Sequence, residues 1–493
     1  MLGGDVSQDC IAERATACLA ALAIVYLTGC GGGSPAPPPL PPTGGTVQMV
    51  ETTGDQNRLL APQSNLNWHA GSGTSNLQIT VNEATAYQTM DGFGASLTDS
   101  SASVIWNQLS STQQSALMQQ LFSPSAGIGI SFLRQPMGAS DFSASGNYSY
   151  DDVPAGKTDT ALANFSIAHD TAYLLPLLKQ ALSLNPAIKV VALPWSAPAW
   201  MKSSSTMNGG NINPAYYASL AQYFVLFVHA YQQQGVPIYA VSTQNEPLNS
   251  NMNYPTAFLA AADEATFVAN YLGPALQGAG LSGTKIFAYE HNWDHPEYAQ
   301  TVLGSSARSF VAGSSFHCYA GDEGAQTTVE MAYPTKDIWF TECSGTVGSS
   351  FAGDLVWNAH HLLIGATRNW ARSVSLWNLA LDQNSGPKNG GCMNCRGVVT
   401  IDSSVSPAKV SFNVEYYVLG HLGKFVTPGA KRIDSNTFGM GSVEDVAFLN
   451  PDGLKVLLAL NSGQSGARFS VQWNGQAFEG VLPAGALATY YWK

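Results

Sequence analysis

The sequence predicts an α/β protein: a (β/α)8 barrel (a TIM barrel) with an accompanying antiparallel β-sandwich. Three observations carry this. Eight short apolar runs alternate with helical patterns through the middle of the chain, as successive βα units require. Both ends show alternating apolar and polar residues and a hairpin-turn signal, which belong to half-buried antiparallel strands. Polar and acidic residues follow several central runs, where a parallel barrel presents its functional groups.

The runs that count out to barrel strands are 92–95, 130–134, 188–194, 238–243, 285–289, 313–317, 337–341 and 373–379. Between them, a helix over 112–122 follows the capping residues Ser110 and Ser111. A second, over 214–234, opens on Pro214 and stops at Gly235. A third, over 256–272, is expected to stop at Gly273-Pro274, and a fourth covers 351–370. At the N-terminal side, Leu77-Gln78-Ile79-Thr80-Val81 alternates as a half-buried strand does. At the C-terminal side, strands are expected over 454–460, 468–473 and 488–492, with Asn474-Gly475 placed for a type I′ turn. The expected division is therefore sandwich strands over 46–85, barrel over 86–410, and the rest of the sandwich over 411–493.

The first 45 residues stand apart. A short apolar segment, 15–28, ends in Leu27-Thr28-Gly29-Cys30, similar to a bacterial lipoprotein signal with its lipid-accepting cysteine. Residues 1–30 read as that signal, and 31–45, rich in Gly and Pro, as a tether. Asp5, Asp9 and Glu13 depart from the basic start such a signal prefers, which leaves open a true start downstream of Met1. Export is expected, with the chain lipid-anchored at a periplasmic or cell-surface face, or secreted, and monomeric. The formal net charge of −12 and the absence of a basic run argue against nucleic acid or an anionic membrane surface as partner. Only 11% of residues are charged, against roughly 25% in ordinary soluble domains, a composition suited to neutral polymers.

Two carboxylates stand out. Glu246 lies in Thr243-Gln244-Asn245-Glu246-Pro247, directly after the fourth run, and Glu342 in Thr341-Glu342 ends the seventh. Facing carboxylates at the mouth of a barrel are what hydrolysis of a glycosidic bond needs. Glu246 also has a structural reading, as a helix-start acid beside Pro247; Glu342 gains its weight from ending a barrel strand three units after that of Glu246. Cys392 and Cys395 form a lone CxxC, so a local disulfide is expected rather than a zinc site. Cys318 and Cys343 are left open between free thiols and a bridge. His360 and His361 are adjacent, so on different faces of a helix, and no metal or other cofactor is expected.

Further segments, in order, carry a resemblance. They are Asp91-Gly92-Phe93-Gly94-Ala95, Leu133-Arg134-Gln135-Pro136-Met137-Gly138 with Ser140-Asp141-Phe142, and Pro194-Trp195-Ser196-Ala197-Pro198. After Gln244-Asn245-Glu246-Pro247 come His317-Cys318-Tyr319, Thr341-Glu342 and Trp377-Asn378-Leu379. With them the chain, over roughly 75–493, resembles glycoside hydrolase family 30, the glucosylceramidase-like retaining β-glycosidases. The resemblance implies Glu246 as acid/base and Glu342 as nucleophile. It further implies substrate contacts from Arg134, Asp141, Trp195, Asn245, His317, Tyr319, Trp377 and Asn378. Cys318 stands where the family often has an aromatic residue, which puts one wall of the pocket in doubt. The implied substrate is a β-glucan or β-glucoside, cleaved as by an endo-β-1,6-glucanase or a glucosylceramidase-type β-glucosidase. The alternatives are a β-xylanase, β-xylosidase or β-galactanase of the same family, or a non-catalytic glycan-binding lipoprotein.

Overall fold

A computed structural model describes residues 45–493. The signal, the tether and Cys30 lie outside the described residues. Eight parallel strands close into a barrel: β1 (Gly92–Ser96), β2 (Phe132–Pro136), β3 (Lys189–Leu193), β4 (Ile238–Ser242), β5 (Lys285–Asn292), β6 (Val311–His317), β7 (Asp337–Glu342) and β8 (Ala371–Asn378). All eight expected runs are strands. Buried on both faces, such strands must be continuously apolar, which is why they were readable.

The barrel floor is packed by Phe132, Val191, Ala240, Phe287 and Trp339. Beneath it Asp91 is enclosed by Lys189, Arg372, Tyr239 and Trp339. Burial raises its carboxyl, but the two cations outweigh that and lower it below the usual range. This end is sealed by structural charge, so the chemistry is left to the opposite, C-terminal end.

Ser110, read as a capping residue, caps the helix starting at Ser111, and Gln113 completes a capping box with it. The helix expected to stop at Gly273-Pro274 instead continues to Gly278. A π-turn over Val268–Leu272 precedes the proline, and the Gly273 N–H reaches back five residues to Val268 O. The wider turn accommodates a residue that has no N–H to give. The barrel also extends past 410. Helix Val414–Gly423 packs on it, and sandwich strands resume only at Lys431–Ser435.

The sandwich is built from both chain ends. Gln48–Thr52 pairs with the last strand, Leu487–Trp492, placing Met49 opposite Tyr490. Asn474 and Gly475 both have positive φ between Ala467–Trp473 and Gln476–Leu482, as a type I′ turn demands. One ladder departs from the antiparallel expectation: Ala467–Trp473 runs parallel to Leu77–Thr89. Because these two strands come from opposite ends of the chain, no tight turn dictates their direction. Buried His421 fastens barrel to sandwich through Thr489 at 2.9 Å and Thr52 at 2.8 Å. No described helix is long and apolar enough to cross a membrane.

Candidate active site

A cavity of about 500 Å3 opens at the C-terminal end of the barrel. Asp141, Trp195, Asn245, Glu246, Glu342 and Trp377 line it, with Tyr319 on its rim. One oxygen of Glu246 and one of Glu342 lie within 4.8 Å of each other and of a His317 ring nitrogen. This close pairing fits the roughly 5–5.5 Å of a retaining glycosidase and not the 6.5–9.5 Å that leaves room for an inverting water.

The backbone places each carboxylate. Between β6 and β7 the register slips by one residue, so His317 stands beside Glu342 rather than Thr341. Glu246 has φ 44°, and Glu290, at the mouth end of β5, has φ 58°. The Glu246 N–H donates to Glu290 O at 3.0 Å, tying the two left-handed residues together. Such conformations cost about 1–3 kcal/mol each and persist where surrounding structure dictates them. Asn245 N–H donates to Pro194 O, and Gln244 Nε2 to Trp195 O, fixing the loop after β4 against that after β3.

Arg134 organises the floor. Fully buried, it donates from Nε to Glu290 Oε1 at 3.0 Å, from one terminal nitrogen to Glu342 Oε2 at 2.5 Å, and from the other to Asn245 Oδ1 at 2.6 Å. Its guanidinium sits 4.7 Å from the Trp195 ring and 5.4 Å from that of Trp377. The two rings stack at 4.7 Å and 21°. Tyr319 OH donates to Glu342 Oε1 at 2.9 Å, so both oxygens of that carboxylate are held. Asn249 Nδ2 donates to Glu246 Oε2 at 2.9 Å, and His317 Nδ1 lies 3.3 Å from Glu246 Oε1.

Burial alone would raise Glu246, but the hydrogen bond and charge of His317 hold it down to about 2. Burial would lower His317, but Glu342, Glu246 and Glu290 raise it to about 9. The two form one unit that holds a single proton, mostly on the imidazole in the free protein. Asp141 is pushed well above the usual carboxylate range by burial and then by Glu342 and Glu246. Its Oδ1 has no partner among the described residues, which suits a group that binds hydroxyls. The loop beside it comes close because Gly391 has no side chain; a Cβ there would meet Asp141 Oδ2 at 2.3 Å.

Of the residues named from sequence, Arg134 and His317 lie beneath the cavity wall, fully buried against Glu342 and Glu246, and Asn378 faces elsewhere. It is buried, takes a hydrogen bond from Thr98 at 2.8 Å, and lies off the cavity that its neighbour Trp377 lines. Strand alternation sends adjacent side chains to opposite faces. Cys318 is bonded to Cys343, so the missing aromatic is replaced by a bridge joining the residues after His317 and Glu342. Cys392 and Cys395 form the expected local disulfide, at the cavity rim. Sequence places 290–294 in a mouth loop that reads equally as sugar-binding or solvated, and gives no sign of the role of Glu290, nor of Asn249 and Tyr254, which support Glu246.

A closed parallel barrel with two facing glutamates in a cavity walled by tryptophan defines a retaining β-glycosidase. The chain belongs to glycosyl hydrolase family 30: the TIM-barrel domain of that family matches residues 90–426 and its β-sandwich domain residues 429–490. It is 34% identical over 447 residues to the endo-1,6-β-D-glucanase of Trichoderma harzianum, covering 86% of this chain and 88% of that protein. The solved endo-β1,6-glucanase BT3312 superposes with a TM-score of 0.83 at 32% identity, over 91% of this chain and 99% of its own. Mouse lysosomal acid glucosylceramidase is 29% identical over 482 residues, 92% of this chain and 90% of that protein.

Proposed function

We propose that this glycoside hydrolase is an endo-β-1,6-glucanase acting by double displacement, with Glu342 as nucleophile and Glu246 as acid/base. The observation that carries the substrate choice is the continuation of the cleft. Past Tyr319 lies a second cavity of about 300 Å3, lined by Ser344, Thr346, Ser349, Asp354, Asn358 and Trp357. Beside the Cys318–Cys343 disulfide, its hydroxyls, carboxylate, amide and one indole suit further sugar units, whereas the acyl chains of a ceramide call for an apolar wall. The names of the Trichoderma and BT3312 relatives point the same way. On pustulan, a β-1,6-glucan, the expected products are a ladder of oligosaccharides early in the reaction. Release of glucose alone, or a higher kcat/KM on glucosylceramide than on pustulan, would overturn the choice.

Arg134 and Tyr319 hold the Glu342 carboxylate for attack on the anomeric carbon. As that bond forms, the leaving oxygen takes the proton of the His317–Glu246 pair through Glu246, which lies on the cavity wall. The ester then breaks when Glu246 draws a proton from water attacking the same carbon. The negative charge of Glu342 is the largest influence holding the proton on His317. Neutralising that charge in the ester releases His317 and readies the pair for its second task.

This gives a pH prediction. The basic limb of kcat/KM should report loss of the pair's proton near pH 9, the value to which His317 is raised. A value raised on folding also means that the stability His317 contributes is full below its ordinary 6.5 and is lost as pH rises through about 9. With His317→Gln, Glu246 loses its largest downward influence, keeps the upward effect of burial against the smaller downward effects of His291 and Asn249, and must hold the proton itself. The limb should then move to lower pH by roughly one unit or more. An unchanged limb would show that the pair does not share the catalytic proton.

The apolar leader ending at Cys30 supports export with a lipid on that cysteine. Cys30→Ala should move the protein from the membrane to the soluble fraction of an expressing bacterium, and an unaltered distribution would refute the anchor.

A further inference from the structure

We propose that Glu323, His360 and His361 form a binding site for a divalent transition-metal ion, Zn2+ or a cation of similar preference, beside the junction of barrel and sandwich. One ligand atom from each of the three lies within 4.8 Å of the others. Tetrahedral zinc with ~2.0–2.1 Å bonds needs its donors roughly 3.4 Å apart, so small side-chain rotations close the site.

The sequence argued against this pair, because adjacent residues point apart on an α-helix. Here the segment Asn358–Ala366 is a π-helix, whose wider turn rotates less per residue, and the two imidazole centroids are 4.4 Å apart. Glu323 reaches the pair because Gly365 is bare; a Cβ there would meet Glu323 Oε1 at 2.6 Å. His361 Nδ1 lies 3.1 Å from Glu323 Oε2. His360 Nδ1 lies 2.5 Å from Glu444 Oε2, on the sandwich strand Val443–Leu449. The second ring nitrogen of each histidine has no hydrogen-bond partner among the described residues. For His360, Glu444 holds Nδ1 and leaves the other nitrogen for metal, the usual outer support of such sites, while Glu323 exchanges its contact with His361 for the ion.

Charge points the same way. Glu323 and Glu444 form ion pairs only with these histidines, and no Lys or Arg compensates either carboxylate among the described residues. Two carboxylates facing the two imidazoles form an acidic centre that a divalent cation can compensate. Glu444 Oε1 is buried without a partner among the described residues. An entry path exists: His360 and His361 line an open cavity of about 530 Å3 shared with Met440, Ser462 and Gln464 of the sandwich. Imidazole with carboxylate selects Zn2+, Ni2+ or Cu2+ over Mg2+ or Ca2+. Bound there, the ion joins the barrel helix to the Glu323 turn and, through Glu444, to the sandwich.

The test uses the full chain, stripped with EDTA and titrated with Zn2+ by calorimetry, with thermal unfolding followed in parallel. The wild type should bind one ion at this site, and its Tm should rise by roughly 3–5 °C at a hundredfold excess over Kd. His360→Gln/His361→Gln should abolish both effects and leave metal-free hydrolysis of an aryl β-glucoside unchanged. Glu323→Gln, which keeps both histidines, should weaken binding roughly tenfold or more. It serves in place of the double variant if that fails to fold, with Co2+ absorption as the readout of His and carboxylate ligation. Glu246, His317 and Glu342 are a second set of potential donors. Zn2+ binding that persists in the double variant and inhibits hydrolysis would assign the ion to that set and overturn the proposal. No Zn2+ binding to the wild type would make these groups ion pairs only and equally refute it.

Discussion

Glu342→Gln is expected to lower kcat on an aryl β-glucoside by on the order of 10^4-fold or more, with Tm close to wild type. The loss is large because an amide cannot form the glycosyl ester, and the adjacent Glu290 is spent on Arg134, Ser242 and Ser315. The fold survives because the two holding interactions adapt. The amide oxygen still accepts from Arg134, while the amide nitrogen donates to Tyr319 OH, whose hydroxyl turns from donor to acceptor. Arg134 keeps Glu290 and Asn245, so no buried cation is left bare. A fluorinated glucoside that traps the intermediate should label Glu342 in the wild type, read by peptide mass spectrometry. Turnover in the variant above about 1% of wild type, or a label on another residue, would remove Glu342 from this role.

The pair of glutamates was readable because each ends an apolar strand, and a barrel leaves only one end free for chemistry. The eight strands were readable for the reason they exist: buried on both faces, they admit few polar residues. What sequence could not convey is the second layer. Glu290 follows Tyr289 and precedes His291, as a mouth loop might, but it carries a buried ion pair with Arg134, 156 positions away. Local sequence holds no trace of that partner. Asn378 was placed in the pocket beside Trp377, yet strand alternation turns it away. The helix through Pro274 and the histidine pair at 360 and 361 misled for one shared reason. Both lie in or beside π-turns, which a period of 3.6 does not describe. The sandwich strands were legible from alternation, but pairing between strands from opposite chain ends depends on the closed fold and not on any turn.

Arg134→Met should both destabilise the protein and remove activity, and the two effects can be separated. Arg134 is wholly buried and faces two carboxylates, Glu290 and Glu342. Burial raises Glu290, but Arg134 first, then His317 and Ser315, hold its carboxyl well below the usual range. Without the guanidinium that support goes, and two like charges are left together away from water. Breaking such a pair from one side costs about 3–5 kcal/mol. Part of this is recovered when Glu290 takes a proton, so the loss should deepen as pH rises above the usual carboxylate range, where neutralising Glu290 becomes more costly. Arg134→Met/Glu290→Gln removes the unpaired charge and should recover most of the stability. It should not recover activity, because Glu342 still lacks its 2.5 Å anchor and Asn245 its donor. A drop in kcat of at least ~10^2-fold is expected in both variants. Equal recovery of Tm and kcat in the double variant would mean that Arg134 only balances Glu290, and that Tyr319 alone positions the nucleophile.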